Sequence, residues 1–358
     1  TSWTDAGVPR NARPTRPTPA PTSGHAACMR PSEKMHPPPP APDLRPDTQG
    51  VRRVDFRALG TNCTIKLRHP DDATACRFIL AALGWLSAFE AKFSRYRPDS
   101  LISRINSAAG SGNWTAIDGE AEHQLNLADD LYRRTDGIID ATTLPLLRVW
   151  DWKQARTTLP TDAEIRAALA LTGWEKVERR TGAVRLPLPG MGLDFGGFGK
   201  EYAVDHLARM ATQHGITDAM IDLGRDIHAL GGNGRHPFWH VGIEDGKRPG
   251  HCWGGLAVSG RAVSASGDAT RHFIHDGVRF GHILDPRTGW PVANGMRSVT
   301  VIANSCLEAG AYSTAVFVLG VADGLRLATT ARGVEVCAQT ETGIDGTRAF
   351  GNHLVEAA

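Results

Sequence analysis

Lysine is scarce in this chain: only seven of its 40 basic residues are lysine, the rest being arginine. Against 38 acidic residues this leaves a formal net charge of +2, so nothing in the charge balance demands a nucleic-acid or anionic-membrane partner. No two of the six cysteines (Cys28, Cys63, Cys76, Cys252, Cys306, Cys337) form a Cys-x-x-Cys pair. That excludes the common zinc and thioredoxin-like redox arrangements and leaves buried or free thiols. No run reaches the roughly 18 apolar residues of a membrane span. Internal repeats are missing, and the first 50 residues lack the basic start, apolar core and small-residue cleavage site of a secretory signal, which makes the cytoplasm the default expectation.

What is present divides the chain in two. Residues 1–50 are rich in proline, including Pro37-Pro38-Pro39-Pro40, and carry almost no apolar periodicity. Such a stretch cannot offset the entropy of ordering and is expected to be a disordered tail, with Met35 placed where an internal start could lie. Residues 51–358 read as one globular domain, and 41 % hydrophobic content overall suffices for a large core.

Within that domain, Val54–Leu67 reads as two strands around Leu59-Gly60-Thr61. Cys76, Ile79, Leu80, Leu83, Leu86, Phe89 and Phe93 recur at helical spacing. Further helices are expected over Glu120–Arg134, from Thr161 with Glu164 completing a capping box and ending at Gly173, from residue 199 to Gly215, and over Leu307–Leu319. Short strands fill Ala219–Ala303. Helices on either side of a long run of strands, without βαβ alternation, predict an α+β domain with a mainly antiparallel sheet.

Two glycine-framed segments carry the chemistry: Leu193-Asp-Phe-Gly-Gly-Phe-Gly-Lys-Glu-Tyr-Ala-Val-Asp205 and His282-Ile-Leu-Asp-Pro-Arg-Thr-Gly289. Glycine beside charge lets a ligand approach the backbone, a common way to hold phosphate. Lys200, one of so few lysines, lies inside the first. It is not a P-loop, because Glu201 follows where Ser or Thr is required and Asp194 stands where the first glycine belongs. The dinucleotide fingerprint fails because no third glycine follows Gly197-Phe198-Gly199. Ser259–Gly267 is no nucleophile elbow.

Taken in order, the segments resemble the FAD:protein FMN transferase (ApbE) family. Leu59-Gly60-Thr61 is similar to its Met-Gly-Thr, and Phe93–Asn106 to its S-x-Y-x-P-D-S-x-I-x-R-L-N turn. Asp136–Thr142 partly matches G-x-F-D-P-T, and Leu193–Asp205 follows L-D-L-G-G-x-A-K-G-Y-A-V-D. Leu223-Gly-Arg-Asp226 resembles L-G-G-D, His282–Gly289 reproduces H-I-L-D-P-R-T-G, and Ser313-Thr314-Ala315 falls on A-T-A. The resemblance implies a two-lobed, T-fold-like α+β domain with FAD bound between the lobes as substrate. It also implies Mg²⁺, and an acceptor protein whose threonine hydroxyl takes FMN with release of AMP. FAD contacts would come from Leu59, Tyr96, Ile138, Ile139, Asp140, Asp194, Lys200 and Ile283. His282 would act as base, its unperturbed pKa suiting proton transfer at neutral pH. The Gly197 carbonyl and Thr314 would bind the metal.

Blander roles stand beside these: His282 or Asp194 as caps, Tyr96 as a surface turn residue, Thr314 bonded to its own backbone. The sequence also departs from the family pattern. Gly310 stands four residues before Thr314, where the family places a metal-binding aspartate; Arg225 replaces the second glycine of L-G-G-D, Ala141 a proline and Leu59 a methionine. Glu308 is about 200° round the helix from Gly310 and a poor substitute. Asp285 is the expected replacement acid, with Ser313 as a weak oxygen ligand, and Arg225 could neutralise phosphate in place of some metal charge. An active transferase, a flavin-binding or FAD-hydrolysing relative without transfer, and transfer to a small-molecule acceptor all remain compatible with these residues.

Overall fold

The two strands expected around Leu59-Gly60-Thr61 form a hairpin, β1 (Val51–Ala58) with β2 (Thr61–Arg68). Its two-residue loop has Leu59 at φ 52° and Gly60 at φ 73°. Positive φ at both positions matches the strand twist but is costly for leucine. The Leu59 N–H is tied to Glu90 Oε2 at 3.1 Å. Cys63, Ile65 and Leu67 alternate onto one buried face.

The computed structural model describes residues 44–152, 158–269 and 271–355. Most of the tail expected over residues 1–50, with Cys28 and Met35, lies outside the described residues, as does Thr270.

The hairpin opens an eight-stranded sheet that continues with β3 (Asp218–Leu223), β4 (Ile227–Leu230), β5 (Arg261–Gly267), β6 (Met296–Ala303), β7 (Glu335–Thr340) and β8 (Ile344–Gly346). Within this sheet each strand pairs antiparallel with the next of its strands in chain order. The expected α+β class therefore holds.

Among the described residues eight α-helices accompany this sheet: α1 (Asp72–Phe93), α2 (Leu101–Ser107), α3 (Gly119–Arg134), α4 (Leu144–Trp150), α5 (Asp162–Ala170), α6 (Gly199–Gln213), α7 (Cys306–Leu319) and α8 (Val321–Thr329). Of these, α1, α6, α7 and α8 pack on its strands. Phe78, Ile79, Ala82 and Leu86 of α1 and Val204 and Leu207 of α6 bury against Ile65 and Leu67. Tyr312, Val316 and Phe317 of α7 bury against Val299, Val301 and Val336. A three-stranded sheet covers the other face, with Trp239, Val241 and Leu256 packed on Met220, Ile227 and Ile302. Aromatic and aliphatic side chains from α1 to α3 and residues 184–202 form a separate core that includes Phe89, Phe93, Phe195 and Phe198.

By length and composition α1 could cross a membrane, alone among the described helices; here its apolar face is the sheet's cover. The capping box is present, Thr161 Oγ1 accepting from the Glu164 N–H at 3.3 Å while Glu164 Oε2 accepts from the Thr161 N–H at 2.7 Å.

Candidate functional site

Backbone clamps set the glycine loop before any ligand is considered. Asn106, at the end of α2, donates from Nδ2 to the Leu193 carbonyl at 3.0 Å and accepts from the Leu193 N–H at 2.6 Å. The next N–H, of Asp194, donates to the Ala141 carbonyl at 2.8 Å. The loop is thus held between the segments bearing Tyr96 and Asp140. Gly196 and Gly197 are exposed, and a Cβ on Gly197 would meet no atom within 4 Å. Open space beside bare backbone is what a carbonyl ligand to a cation requires.

Asp194 is not the cap of α6, which begins five residues later without a side-chain cap. Its Oδ1 accepts from the Gly196 N–H at 3.0 Å and its Oδ2 pairs with Arg95 Nε at 2.9 Å. The Arg95 guanidinium lies 4.3 Å from the centroid of the Tyr96 ring and donates to the Tyr96 hydroxyl at 2.7 Å. Tyr96 is 61 % exposed, so a broad aromatic surface is offered on an ion-paired mount.

Asp140 is buried, and its Oδ1 accepts from the Thr142 N–H at 2.7 Å and Oγ1 at 2.6 Å. Burial raises its carboxyl above the usual carboxylate range. Ile139 lies in the aromatic core beside Leu193 and Phe195. Ile138 packs with Ala315 and Val318 of α7, and Ile283 packs against the same cluster.

Lys200 forms an ion pair with buried Asp226 and reaches Glu201 Oε1 at 3.8 Å. Asp226 also accepts from the Ser264 hydroxyl. On α7, Thr314 Oγ1 lies 3.0 Å from Ser266 Oγ, which is 2.8 Å from Ser313 Oγ. The Thr314 hydroxyl therefore meets another side-chain hydroxyl, while Ser313 donates to the Gly310 carbonyl at 3.0 Å. The tight β3–β4 turn explains L-G-x-D: a Cβ on Gly224 would come within 2.5 Å of Thr61 Oγ1. Arg225 sits at φ 76° and its guanidinium pairs with Glu244.

His282 is half-buried, and its N–H donates to the Arg271 carbonyl at 3.0 Å. Its Nδ1 is shut from solvent and has no hydrogen-bond partner, a condition that calls for explanation in a native site. The near-neutral histidine expected from sequence is corrected: burial, with the charge of Arg271 adding to it, pushes the pKa down from 6.5 to about 4. The imidazole is thus neutral throughout the physiological range, with a ring nitrogen free to accept a proton but with less affinity for it than an exposed histidine. The following turn docks on the helices, Trp150 Nε1 donating to the Gly289 carbonyl at 2.8 Å. No hydrogen bond or ion pair among the described residues joins His282 to the glycine loop; its neighbour Ile283 packs on Ile138 and α7 instead.

Asp285, expected to replace the acid missing at Gly310, is occupied by its own turn. Its Oδ1 accepts from the Arg287 N–H and Nε, each at 2.9 Å, and its Oδ2 from Nη2 at 2.8 Å. Glu308 is paired with Arg134 at 3.0 Å, in keeping with the helical-wheel expectation. Sequence reasoning gave no individual role to Asn106, Arg95, Ser266 or Asp226, although Arg95 and Asn106 lie in the Phe93–Asn106 segment and Asp226 ends Leu223-Gly-Arg-Asp226.

This antiparallel architecture is shared with solved flavin-transferase structures. The ApbE protein of Thermotoga maritima superposes with a TM-score of 0.77 at 29 % identity, covering 86 % of this chain and 100 % of that one. For the flavin transferase ApbE of Vibrio cholerae the values are 0.74, 27 %, 85 % and 99 %. Among curated relatives, a FAD:protein FMN transferase of Salmonella typhimurium is 30 % identical over 287 residues, 78 % of this chain and 82 % of that protein. One from Klebsiella pneumoniae is 32 % identical over 269 residues, 74 % and 82 %. The ApbE family model matches residues 59–338, and the chain belongs to the ApbE family.

Proposed function

We propose that this protein is a FAD:protein FMN transferase that moves FMN from FAD to a threonine hydroxyl of an acceptor protein. The bond formed joins the threonine oxygen to the FMN-side phosphorus; the bond broken is that phosphorus to the bridging oxygen, which leaves with AMP, and the threonine proton passes to His282. The observation that carries this reading is the half-buried, neutral His282 with a solvent-shielded, unsatisfied ring nitrogen, on a turn anchored by Trp150. Lys200, Arg95 and the backbone of exposed Gly197 supply donors for a diphosphate. Mg²⁺, when bound, would neutralise the diphosphate. The residues present fit such an ion: an exposed, uncrowded backbone at Gly197, hydroxyls of Thr314 and Ser266, and a buried carboxylate oxygen of Glu201 without a partner.

Incubation with FAD, Mg²⁺ and a candidate acceptor tests the proposal, the expected result being AMP release with a mass gain of one FMN on the acceptor. Gly310, which removes the family's aspartate, favours a second reading, slow FAD hydrolysis. AMP without the adduct would establish that alternative.

Two smaller predictions belong here. Tyr96→Ala should raise the KM for FAD about 2- to 10-fold with little change in kcat, the loss of one aromatic stack; steady-state kinetics decide it. In the free enzyme the acid limb of kcat/KM should fall near pH 4 instead of 6.5. The same shift acts on stability. The folded pKa lies below the unfolded value, so the contribution of neutral His282 is complete above about 6.5 and is lost as pH falls from there through about 4.

A further inference from the structure

The helix α7 lacks the family's acid at position 310, yet the space of that side chain is filled. A Cβ on Gly310 would lie 2.5 Å from Glu201 Cγ, 3.1 Å from its Cδ and 3.1 Å from its Oε1. Real Cβ atoms do not approach so closely, so no residue larger than glycine fits at 310 while Glu201 keeps its place. Glu201 itself stands where the family pattern quoted above has glycine, in the first turn of α6. The two departures are therefore one exchange: the carboxylate has moved from α7 to α6, and the glycine from α6 to α7.

The moved carboxylate is placed for a cation. Its side chain is 11 % exposed, and Oε2 is buried without a hydrogen-bond partner. Gly310 and Thr314 are one turn apart on the same face of α7, so the Glu201 carboxylate lies along the face that presents the Thr314 hydroxyl. Four residues before Glu201 lies Gly197, exposed and with open space on its side-chain side. Charge points the same way. Lys200 is the cation near both carboxylates, and it is engaged by Asp226 and only 3.8 Å from Glu201 Oε1. Two acids sharing one ammonium leave an uncompensated negative charge in a buried place, a costly state unless a cation joins it. No three His, Cys, Asp or Glu side chains cluster as a metal site among the described residues. One carboxylate with neutral oxygens and substrate phosphates is a common Mg²⁺ environment.

We propose that Glu201 is the carboxylate ligand of the divalent cation in this protein, acting with the Gly197 carbonyl and the Thr314 hydroxyl, and that Gly310 is glycine because Glu201 occupies its side-chain space. This rests on the flavin-transferase reading of the site.

The test is a Mn²⁺ titration of the full chain followed by electron paramagnetic resonance, with and without FAD, beside a separate FAD titration by flavin fluorescence. The near-isosteric E201Q should weaken Mn²⁺ binding by about 10- to 100-fold or more, and should raise the melting temperature of the metal-free protein by removing a buried charge. G310D alone should bind Mn²⁺ no better than wild type and melt lower, from the clash with Glu201. The paired E201G/G310D should recover Mn²⁺ affinity to within a few fold of wild type. Unchanged Mn²⁺ affinity in a folded E201Q that still binds FAD overturns the proposal while sparing the flavin reading. Failure of the wild-type protein to bind FAD overturns that reading instead. A G310D variant that gains affinity with Glu201 in place also overturns the exchange.

Discussion

His282→Ala is expected to slow FMN transfer by about 10²- to 10⁴-fold while FAD affinity changes by no more than a few fold. The size is that of a lost general base, and the split between rate and affinity follows from the geometry. Residue 282 is held by its main-chain N–H, which donates to the Arg271 carbonyl, and the turn after it by Trp150. Neither anchor uses the imidazole, so its removal leaves the hairpin standing. His282→Gln, which keeps size and a hydrogen-bonding tip without basicity, should be as slow as the alanine variant if proton transfer is the role, and should recover much of the rate if the ring only orients substrate. Single-turnover measurements of AMP release with saturating FAD and acceptor separate the two. The altered pKa adds a signature: raising the pH from 6 to 8 should not increase the base form, since a group titrating at about 4 is already deprotonated. A rate in that range that climbs with a pKa near 6.5 would point to a different base.

The order of the motifs made the fold class and the family legible, because each motif is a local device with a local cause. Leu59-Gly60 is a two-residue hairpin loop, Thr161 with Glu164 a capping box, and Gly224 a turn pressed against Thr61; such devices survive in the sequence as short patterns. The short helices α2 and α4 were not legible, since seven residues carry less than two turns of periodicity. Partners distant in sequence were invisible for a different reason. Nothing near Asn106 announces that it will grip Leu193, 87 residues on, and nothing near Asp285 announces that Arg287 will take both its oxygens. The exchange between Glu201 and Gly310 shows the limit most clearly. Gly310 looked like a loss and Glu201 drew no notice within its motif; only the distance between the two positions in space makes it a relocation.

Asp205→Ala should be the most destabilising single change among the motif residues, by about 3 to 5 kcal/mol. The last letter of the Leu193–Asp205 motif looks like part of a ligand loop, yet its side chain points into the protein and is only 8 % exposed. Oδ1 accepts from the Cys306 N–H at 2.8 Å and from His228 Nδ1 at 2.8 Å, and Oδ2 accepts from the Leu307 N–H at 2.9 Å. Two of the first N–H groups of α7, which that helix cannot satisfy itself, are thus capped by a carboxylate from α6, and the negative charge meets the positive end of the α7 dipole. Truncation would strand both amides and the histidine donor in a buried place, each carrying its own desolvation cost. For a domain of this size the expected fall in melting temperature is on the order of 10 °C. Asp205→Asn keeps an acceptor and the shape and should cost roughly half as much. The consequence reaches the site, because α6 carries Lys200 and Glu201 while α7 carries Gly310 and Thr314. Asp205 fixes how these two helices meet, so Asp205→Asn should weaken Mn²⁺ binding several fold even at temperatures where the protein is fully folded. A melting temperature within about 2 °C of wild type for Asp205→Ala would show that Ser305, whose hydroxyl accepts from the Glu308 N–H at 3.2 Å, suffices to start α7 without help from α6.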